Sequence, residues 1–329
     1  MVFNKTIFLG VKLDYILGVD GGGTKTMIAV AGLDGEIIIE RSISSINFKS
    51  IGIDGALKNF IFGINSVIKE LESNDSKPYF KSSCFGLAGL NTSYDKVVFV
   101  KIVLNDTVTP YLNLQKAALC NDTVIGLAAG SLNKNRVIVI CGTGSNCYGI
   151  NEEGNEAKAN GWDYILGDEG SGTSMGIKTL RAVMQAYDGR GDETLLTGKI
   201  FEFLNINSVD ELNRWTYDEA FSKDRFASLS LPLCITAELG DKVAIRILKE
   251  EAEEVIKNVS AVVKRLHLEE KEFDLVFVGN NFKCIKYFQK IIIRKLKDSF
   301  SKINFIPLTG KPVIGAIRLA FNSLAPKNM

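Results

Sequence analysis

At 329 residues the chain exceeds the size at which one hydrophobic core stops growing, so two compact domains are expected. Hydrophobic residues make up 46% and charged residues 23%, the balance of a folded globular protein, which excludes an intrinsically disordered chain. The 39 basic and 38 acidic residues leave a net charge of +1, so no electrostatic excess draws the protein to nucleic acid or an anionic membrane, and any bound anion must be held locally.

Residues 1–13 are fairly apolar but carry Lys5 and Lys12, and no small-residue cleavage site follows them. They read as an extension or a misplaced start rather than a signal peptide. No run approaches the roughly 20 apolar residues that span a bilayer, so a cytoplasmic protein is expected. Strand-like runs follow at Ile16–Val19, Met27–Ala31 and Glu36–Ile39, separated by glycine turns, and then an amphipathic stretch at Asp54–Leu71. Next come a strand at Ser83–Leu87, a helix after Thr92, and a strand at Ala117–Cys120 that ends in Asn121-Asp122. This alternation indicates a layered α/β sheet.

A second unit opens with the apolar strand Val137–Ile140, a Gly-Thr-Gly-Ser turn and another strand, Asn146–Ile150. It repeats the strand, glycine turn, strand design of the first unit, which points to a duplicated architecture with paired phosphate loops. Helical patterns cover Ser171–Tyr187, Val209–Lys223 and Asp241–Leu266. A strand at Leu275–Val278, a helix from Lys283, a strand at Ile303–Ile306 and a last helix at Pro312–Phe321 complete the chain.

The six cysteines, Cys84, Cys120, Cys141, Cys147, Cys234 and Cys284, form no CxxC pair, and several lie in apolar runs. They read as buried thiols of a reducing compartment. His267 is the single histidine and lies on a charged helical stretch, so it reads as a surface residue. Histidine-rich zinc sites and Ser-His-Asp hydrolases are excluded by inventory.

Asp20-Gly21-Gly22-Gly23-Thr24-Lys25-Thr26 lies between two strands. Consecutive glycines there let the backbone approach a ligand and turn its amides toward anionic oxygens, although a plain glycine-rich turn has the same composition. Thr24 intervenes before Lys25, so this is not a Walker A loop. Thr26 takes the third glycine position of the dinucleotide fingerprint and no helix follows, so it is not that motif either. Gly142-Thr143-Gly144-Ser145 occupies the equivalent place in the second unit. Asp122, at the end of a buried strand, is placed either to accept the proton of an attacking hydroxyl or to cap the helix that starts at Thr123. Gly161-Trp162 and Gly167-Asp168-Glu169-Gly170-Ser171 set an aromatic surface and two acids ahead of a helix, either as a polar pocket or as a helix entrance.

Taken in order, Asp20-Gly-Gly-Gly-Thr-Lys-Thr, Asn121-Asp122, Gly142-Thr-Gly-Ser-Asn146-Cys147, Gly161-Trp162 and Gly167-Asp-Glu-Gly-Ser171 resemble the N-acetylglucosamine kinase branch of the BadF/BadG/BcrA/BcrD family, in the sugar kinase, Hsp70 and actin superfamily. The resemblance implies duplicated ribonuclease H-like, actin-like ATPase domains flanking an interdomain cleft. These would be residues 15–122, joined by a C-terminal helix at 311–329, and residues 123–310 with a helical insertion at about 188–240. It implies ATP and Mg²⁺ as cofactors, a hexose or N-acetylhexosamine acceptor, and a homodimer. By position, Asp20 would hold Mg²⁺ through water, Gly22, Gly23, Thr24 and Lys25 the first phosphate loop, Thr143 and Gly144 the second, and Asp122 would be the catalytic base. Asn47, Ser145, Asn146, Gly161, Trp162 and Asp168 fall at sugar contacts, Ala227 borders the adenine and Gly279 begins the adenosine motif. Ala159 stands where relatives have cysteine, and Phe48 where many have histidine. Three alternatives are carried: a 2-keto-3-deoxygluconate kinase, favoured by a basic residue beside Trp162; an ATPase that activates a dehydratase through a cysteine-ligated cluster; and a non-catalytic sugar sensor.

Overall fold

The computed structural model of the chain describes residues 11–72, 76–218 and 222–325. The N-terminal extension at 1–10 and positions 326–329 of the C-terminal segment lie outside them. Two compact units are present, one made of the chain up to Gly130 together with everything from Thr309, the other of Ser131–Leu308.

The first unit is built on β1 (Val11–Gly21), β2 (Lys25–Ala31), β3 (Ile37–Ser44), β4 (Ser76–Leu87) and β5 (Ala117–Asn121), in the order β3-β2-β1-β4-β5. β2 runs antiparallel to β1 and β3, whereas β4 and β5 run parallel to β1. Both faces of β1 are covered, which is why Ile16–Val19 is a continuous apolar run rather than an alternating one. Leu17 and Val19 face α1 (Phe48–Leu71) and α2 (Ser93–Val103) through a core that contains Phe60, Phe85 and Phe99. Ile16 faces α3 (Asp122–Gly130) and the last helix, Pro312–Leu324. That last helix lies so close that a Cβ on Gly18 would meet Ile317 at 2.9 Å and one on Gly315 would meet the Ile125 carbonyl at 1.8 Å. The expected helix at Asp54–Leu71 is preceded by another turn from Phe48, the two joined at Gly52, whose φ of 76° only glycine adopts readily. α3, expected to open the second domain, packs with the first unit.

The second unit carries β6 (Arg136–Cys141), β7 (Ser145–Ile150), β8 (Glu156–Asn160), β9 (Phe273–Val278) and β10 (Ile303–Pro307). Their order, β8-β7-β6-β9-β10, reproduces that of the first sheet strand for strand, and so do the parallel and antiparallel pairings. The repeat visible in sequence as strand, turn, strand is therefore a whole duplicated sheet. β8 escapes sequence reading because Glu-Ala-Lys-Ala-Asn has low strand propensity; its pairing with β7 decides its conformation.

Between β8 and β9 run α4 (Gly172–Tyr187), α5 (Leu196–Leu204), α6 (Val209–Thr216), α7 (Lys223–Ser228), α8 (Ser230–Glu238) and α9 (Lys242–Arg265). The helix expected over Val209–Lys223 ends at Thr216, and part of its expected span, positions 219–221, lies outside the described residues. α9 buries Leu248, Ala252, Val255, Val259 and Val262 against the second sheet, the spacing of an amphipathic helix. After β9 the chain forms a tight turn at Asn280–Lys283 and a wide one at Ile285–Gln289 before α10 (Lys290–Ser299); α11 (Pro312–Leu324) is the last helix. The helix expected from Lys283 thus begins only at Lys290.

Not all six cysteines are thiols. Cys284, between those two turns, forms a disulfide with Cys234 of α8. The two lie 50 positions apart in sequence but 5.8 Å apart between Cα atoms, a proximity that no spacing pattern announces. Among the described residues no helix is long and apolar enough to cross a membrane.

Candidate active site

One group of candidate residues lies at the carboxyl ends of strands of the first sheet. Gly21 pairs with Leu87, and Leu87 with Asn121, so the carboxyl ends of β1, β4 and β5 are level. That registration brings Asp20, at the end of β1, close enough to Asp122, at the start of α3, for the second charge to act on the first. Asp20 titrates at about 6 because burial disfavours its charge and Asp122 adds repulsion, against a smaller pull from Lys25. Beside it, Gly22 N–H donates to the Lys25 carbonyl at 3.0 Å and closes a tight hairpin. Gly23, Thr24 and Lys25 are exposed at its tip, and a Cβ on Gly23 would meet nothing. Ser45 hydroxyl donates to the Gly22 carbonyl at 3.0 Å and accepts from Asn47 N–H at 3.0 Å, tying the hairpin to the entrance of α1. Asn47 is buried, and its side-chain oxygen accepts from Lys49 N–H at 3.1 Å as the cap of α1.

Asp122 contributes to the entrance of α3. Its Oδ1 accepts from Thr123 N–H at 3.0 Å, but Asn121 shares that duty, taking the same N–H at 3.1 Å and the Thr123 hydroxyl at 2.6 Å. The α3 terminus is thus not capped by Asp122 alone.

Another group of candidate residues lies in the second unit around Gly142-Thr143-Gly144. Gly142 N–H donates to the Gly144 carbonyl at 3.0 Å. α4 fastens this turn from outside: Gly172 N–H reaches the Gly142 carbonyl at 2.7 Å, and the Thr173 hydroxyl the Thr143 carbonyl at 2.7 Å. The Thr143 hydroxyl donates to Asp224 of α7 at 2.8 Å. Gly172 faces Ala227, where an added Cβ would come within 3.0 Å of the alanine's own. Gly142, Thr143, Ala227, Asn280, Asn281 and Cys234 are among the residues lining one cavity of about 530 Å³, within the range of small-molecule sites. Gly279 precedes it at a φ of 114°, with the Cys141 carbonyl 2.2 Å from where a Cβ would stand, so only glycine fits. The Asn281 side chain donates to the Gly142 carbonyl at 3.2 Å and bridges toward Gly170.

Next to this turn lies a polar wall. Asn146 pairs with Asn160 across β7 and β8. Gly161, at a φ of 73°, lies directly on Asn146: a Cβ there would be 2.7 Å from its amide carbon. The Asn160 side-chain oxygen accepts from Gly161 N–H at 2.9 Å and from Asp168 N–H at 2.6 Å, and its amide donates to the Glu169 carbonyl at 3.0 Å. Asp168 lies over Gly144 and accepts from the Ser145 N–H. Burial first, then Asp163, raise its pKa to about 6, with Lys223 opposing. Ser145 is buried and Trp162 is 50% exposed. Asp20, Gly22–Lys25, Asn47 and Asp122 are therefore together in the first unit, and Thr143–Asn146, Gly161, Trp162, Asp168, Ala227 and Gly279 in the second.

The model of the BadF/BadG/BcrA/BcrD ATPase family matches residues 17–320. The chain belongs to this family. It is 33% identical over 312 residues to the N-acetylmuramic acid/N-acetylglucosamine kinase of Clostridium acetobutylicum, covering 94% of this chain and 98% of that protein. It is 31% identical over 318 residues to the N-acetyl-D-glucosamine kinase of Dictyostelium discoideum, with the same coverage. The solved structure of a candidate N-acetylglucosamine kinase from Chromobacterium violaceum superposes with a TM-score of 0.71 at 19% identity, over 93% of this chain and 98% of that one. The fold expected from the motifs, duplicated actin-like ATPase domains, is thus the fold observed.

In this BadF/BadG/BcrA/BcrD member, sequence reading missed Glu251 and Asn160. Glu251 is fully buried on α9, where its carboxylate accepts from Gly170 N–H and from the Ser174 hydroxyl at 2.8 Å, and pairs with Lys178 at 2.9 Å. A lone acid on the apolar stripe Leu248, Ala252, Val255 was the available signal. Asn160 left no signal, since β8 itself was unseen. Cys141 and Cys147, which flank the second glycine turn, are fully buried in the core of the second unit, and burial pushes both thiols up. That placement removes them from any interface between subunits.

Proposed function

We propose that this protein is an ATP-dependent N-acetylhexosamine kinase that transfers the γ-phosphoryl group to a hydroxyl of the sugar. The observation that carries this reading is the Asp20–Asp122 pair at the level ends of β1 and β5, beside a glycine hairpin whose tip is open. Two acids so close favour an arriving cation, and the donors fit Mg²⁺. Among the described residues no cluster of three or more His, Cys, Asp or Glu could hold a metal alone. Asp20 would hold it through water, with phosphate oxygens completing an octahedron that magnesium seldom takes wholly from protein. Bound there, it would neutralise charge on the transferred group.

Each residue then has a task. Gly22, Gly23, Thr24 and Lys25 bind phosphates from the first unit, and Thr143 and Gly144 from the second. Ala227 and Gly279 border the adenine. Asn47, Ser145, Asn146, Gly161, Trp162 and Asp168 orient the sugar, and Asp122 takes the proton of the attacking hydroxyl. The phosphate-binding residues of this reading come from both units. A cytoplasmic homodimer belongs to the proposal, since ATP supply and family membership both favour it.

The relatives' names favour amino sugars over sugar acids of the 2-keto-3-deoxygluconate type. The buried positions of Cys141 and Cys147 weigh against a dehydratase activator, and the presence of Asp122 weighs against a sensor. The test is ADP release with Mg·ATP over glucose, glucosamine, N-acetylglucosamine, N-acetylmannosamine and 2-keto-3-deoxygluconate, with Asp122→Ala beside the wild type. Turnover on an N-acetylhexosamine that vanishes in the variant is expected. Acceptor-independent hydrolysis, or equal rates in the variant, overturns the reading.

A further inference from the structure

We infer that Asp224 selects a nucleotide with an intact ribose, its carboxylate accepting hydrogen bonds from the 2′- and 3′-hydroxyls. This rests on the reading of the cavity of about 530 Å³ as the nucleotide site. Asp224 lies in α7 and lines that cavity, where it is the one carboxylate among the described lining residues. On one side of it stands the glycine turn, whose Thr143 hydroxyl donates to Asp224 Oδ1 at 2.8 Å. On the other side, one helical turn on and therefore on the same face, stand Ala227 and Ser228. Ser230 and Leu231 of α8 continue the same wall.

The order of residues along this wall follows the order of groups along a nucleotide. With phosphates at the turn and the base bordering Ala227, the group that joins them, the ribose, passes Asp224. Charge favours the same match. A carboxylate repels a polyphosphate, so the section of ligand that Asp224 meets is a neutral one. A ribose diol offers O–H donors to a group that only accepts, and the bond to Thr143 orients the carboxylate while leaving most of its roughly four acceptor sites for the ligand. Asp224 is exposed, so the hydroxyls replace water on it, which sets a moderate rather than an absolute preference.

The experiment measures, by titration calorimetry with Mg²⁺ present, the binding of ADP and of 2′,3′-dideoxyADP to wild type, Asp224→Ala and Asp224→Asn. It then compares kcat/KM for the corresponding triphosphates over the acceptors named above. Wild type is expected to bind ADP about 10- to 100-fold more tightly than the dideoxy form, the worth of hydrogen bonds to a charged group. Asp224→Ala is expected to lose that preference by weakening ADP alone, with the dideoxy form held within about two-fold. Asp224→Asn, which keeps an acceptor oxygen, is expected to fall between, and kcat/KM to follow the same pattern. A wild type that binds both forms equally overturns the inference. So do equal losses on both forms in Asp224→Ala, which would mean that the residue acts only by holding Thr143. Selective binding of ADP that depends on Asp224, without turnover of any acceptor, overturns the kinase reading and leaves the inference standing. Binding of neither form overturns both.

Discussion

Asp20 and Asp122 illustrate how two residues of ordinary chemistry become a site through position. The Asp20 carboxylate alone would titrate near 3.8, yet burial and the neighbouring charge hold it at about 6. Since its folded value lies above the unfolded one, the stabilisation it confers is present below about pH 4 and is lost as pH rises through about 6. Asp20→Asn is therefore expected to melt at a higher temperature than wild type at pH 7.5 without ligands, by on the order of 3 kcal/mol, with the gap closing at pH 4. Equal melting temperatures across that range contradict the assignment. On the proposal that Asp20 holds the cation, the same ionisation is required, and kcat/KM for Mg·ATP is expected to fall below about pH 6. If Asp168, also raised to about 6, orients the sugar as proposed, a parallel fall in kcat/KM for the sugar is expected, and Asp168→Asn is expected to remove it along with much of the sugar affinity. Asp122→Asn, which keeps the cap to Thr123, is expected to lower kcat by about 10²–10⁴-fold with little change in KM for ATP. A preserved kcat would leave Asp122 a helix cap and nothing more.

Close backbone contacts set the elements that carry these residues. Gly315 lets α11 rest on α3, with the Ile125 carbonyl 1.8 Å from where a Cβ would be. Gly315→Ala is expected to destabilise by about 3 kcal/mol or more, read as a fall in the denaturation midpoint, and to displace Asp122 with α3. Gly176 does the same for α4 and α7: a Cβ there would lie 2.0 Å from the Phe226 carbonyl. Gly176→Ala is expected to push α7, and Ala227 with it, off the cavity proposed for the nucleotide, so that KM for ATP rises by about ten-fold while KM for the sugar holds. Equal rises in both would mean that the whole unit had loosened. The sequence shows each of these glycines in a helical pattern but not what it faces. Phe226 lies 50 positions beyond Gly176, and no local periodicity carries that pairing.

At the scale of the molecule, two units share one strand order, and each carries its own group of candidate residues. The Cys234–Cys284 disulfide closes a span of 50 residues in the second unit, and a loop of that length confers about 4 kcal/mol on the chain-entropy account. Reductant, or Cys234→Ser, is expected to lower the melting temperature of the second unit. Since Cys234 and Cys284 both line the cavity proposed to take the nucleotide, the loss is expected to be recovered in part by Mg·ATP. Unchanged melting under reductant would mean that the pair is not bonded in solution.

Much of this was legible in the chain. The strands of the first sheet, the two glycine turns and Asp122 at a strand end all rest on neighbours within a few positions, where alternation, glycine freedom and turn chemistry act directly. Strand β8, the late start of α10, the Cys234–Cys284 bond and buried Glu251 do not, because each is decided by a partner far along the chain. Composition and motif order by themselves determined a two-unit α/β protein with paired glycine turns and a carboxylate at a strand end. The tertiary structure alone decided that β1, β4 and β5 end level, so that Asp20 feels Asp122, and that Asp224 stands beside Thr143. Those distances depend on sheet register and backbone contact between remote segments, which a linear pattern does not encode.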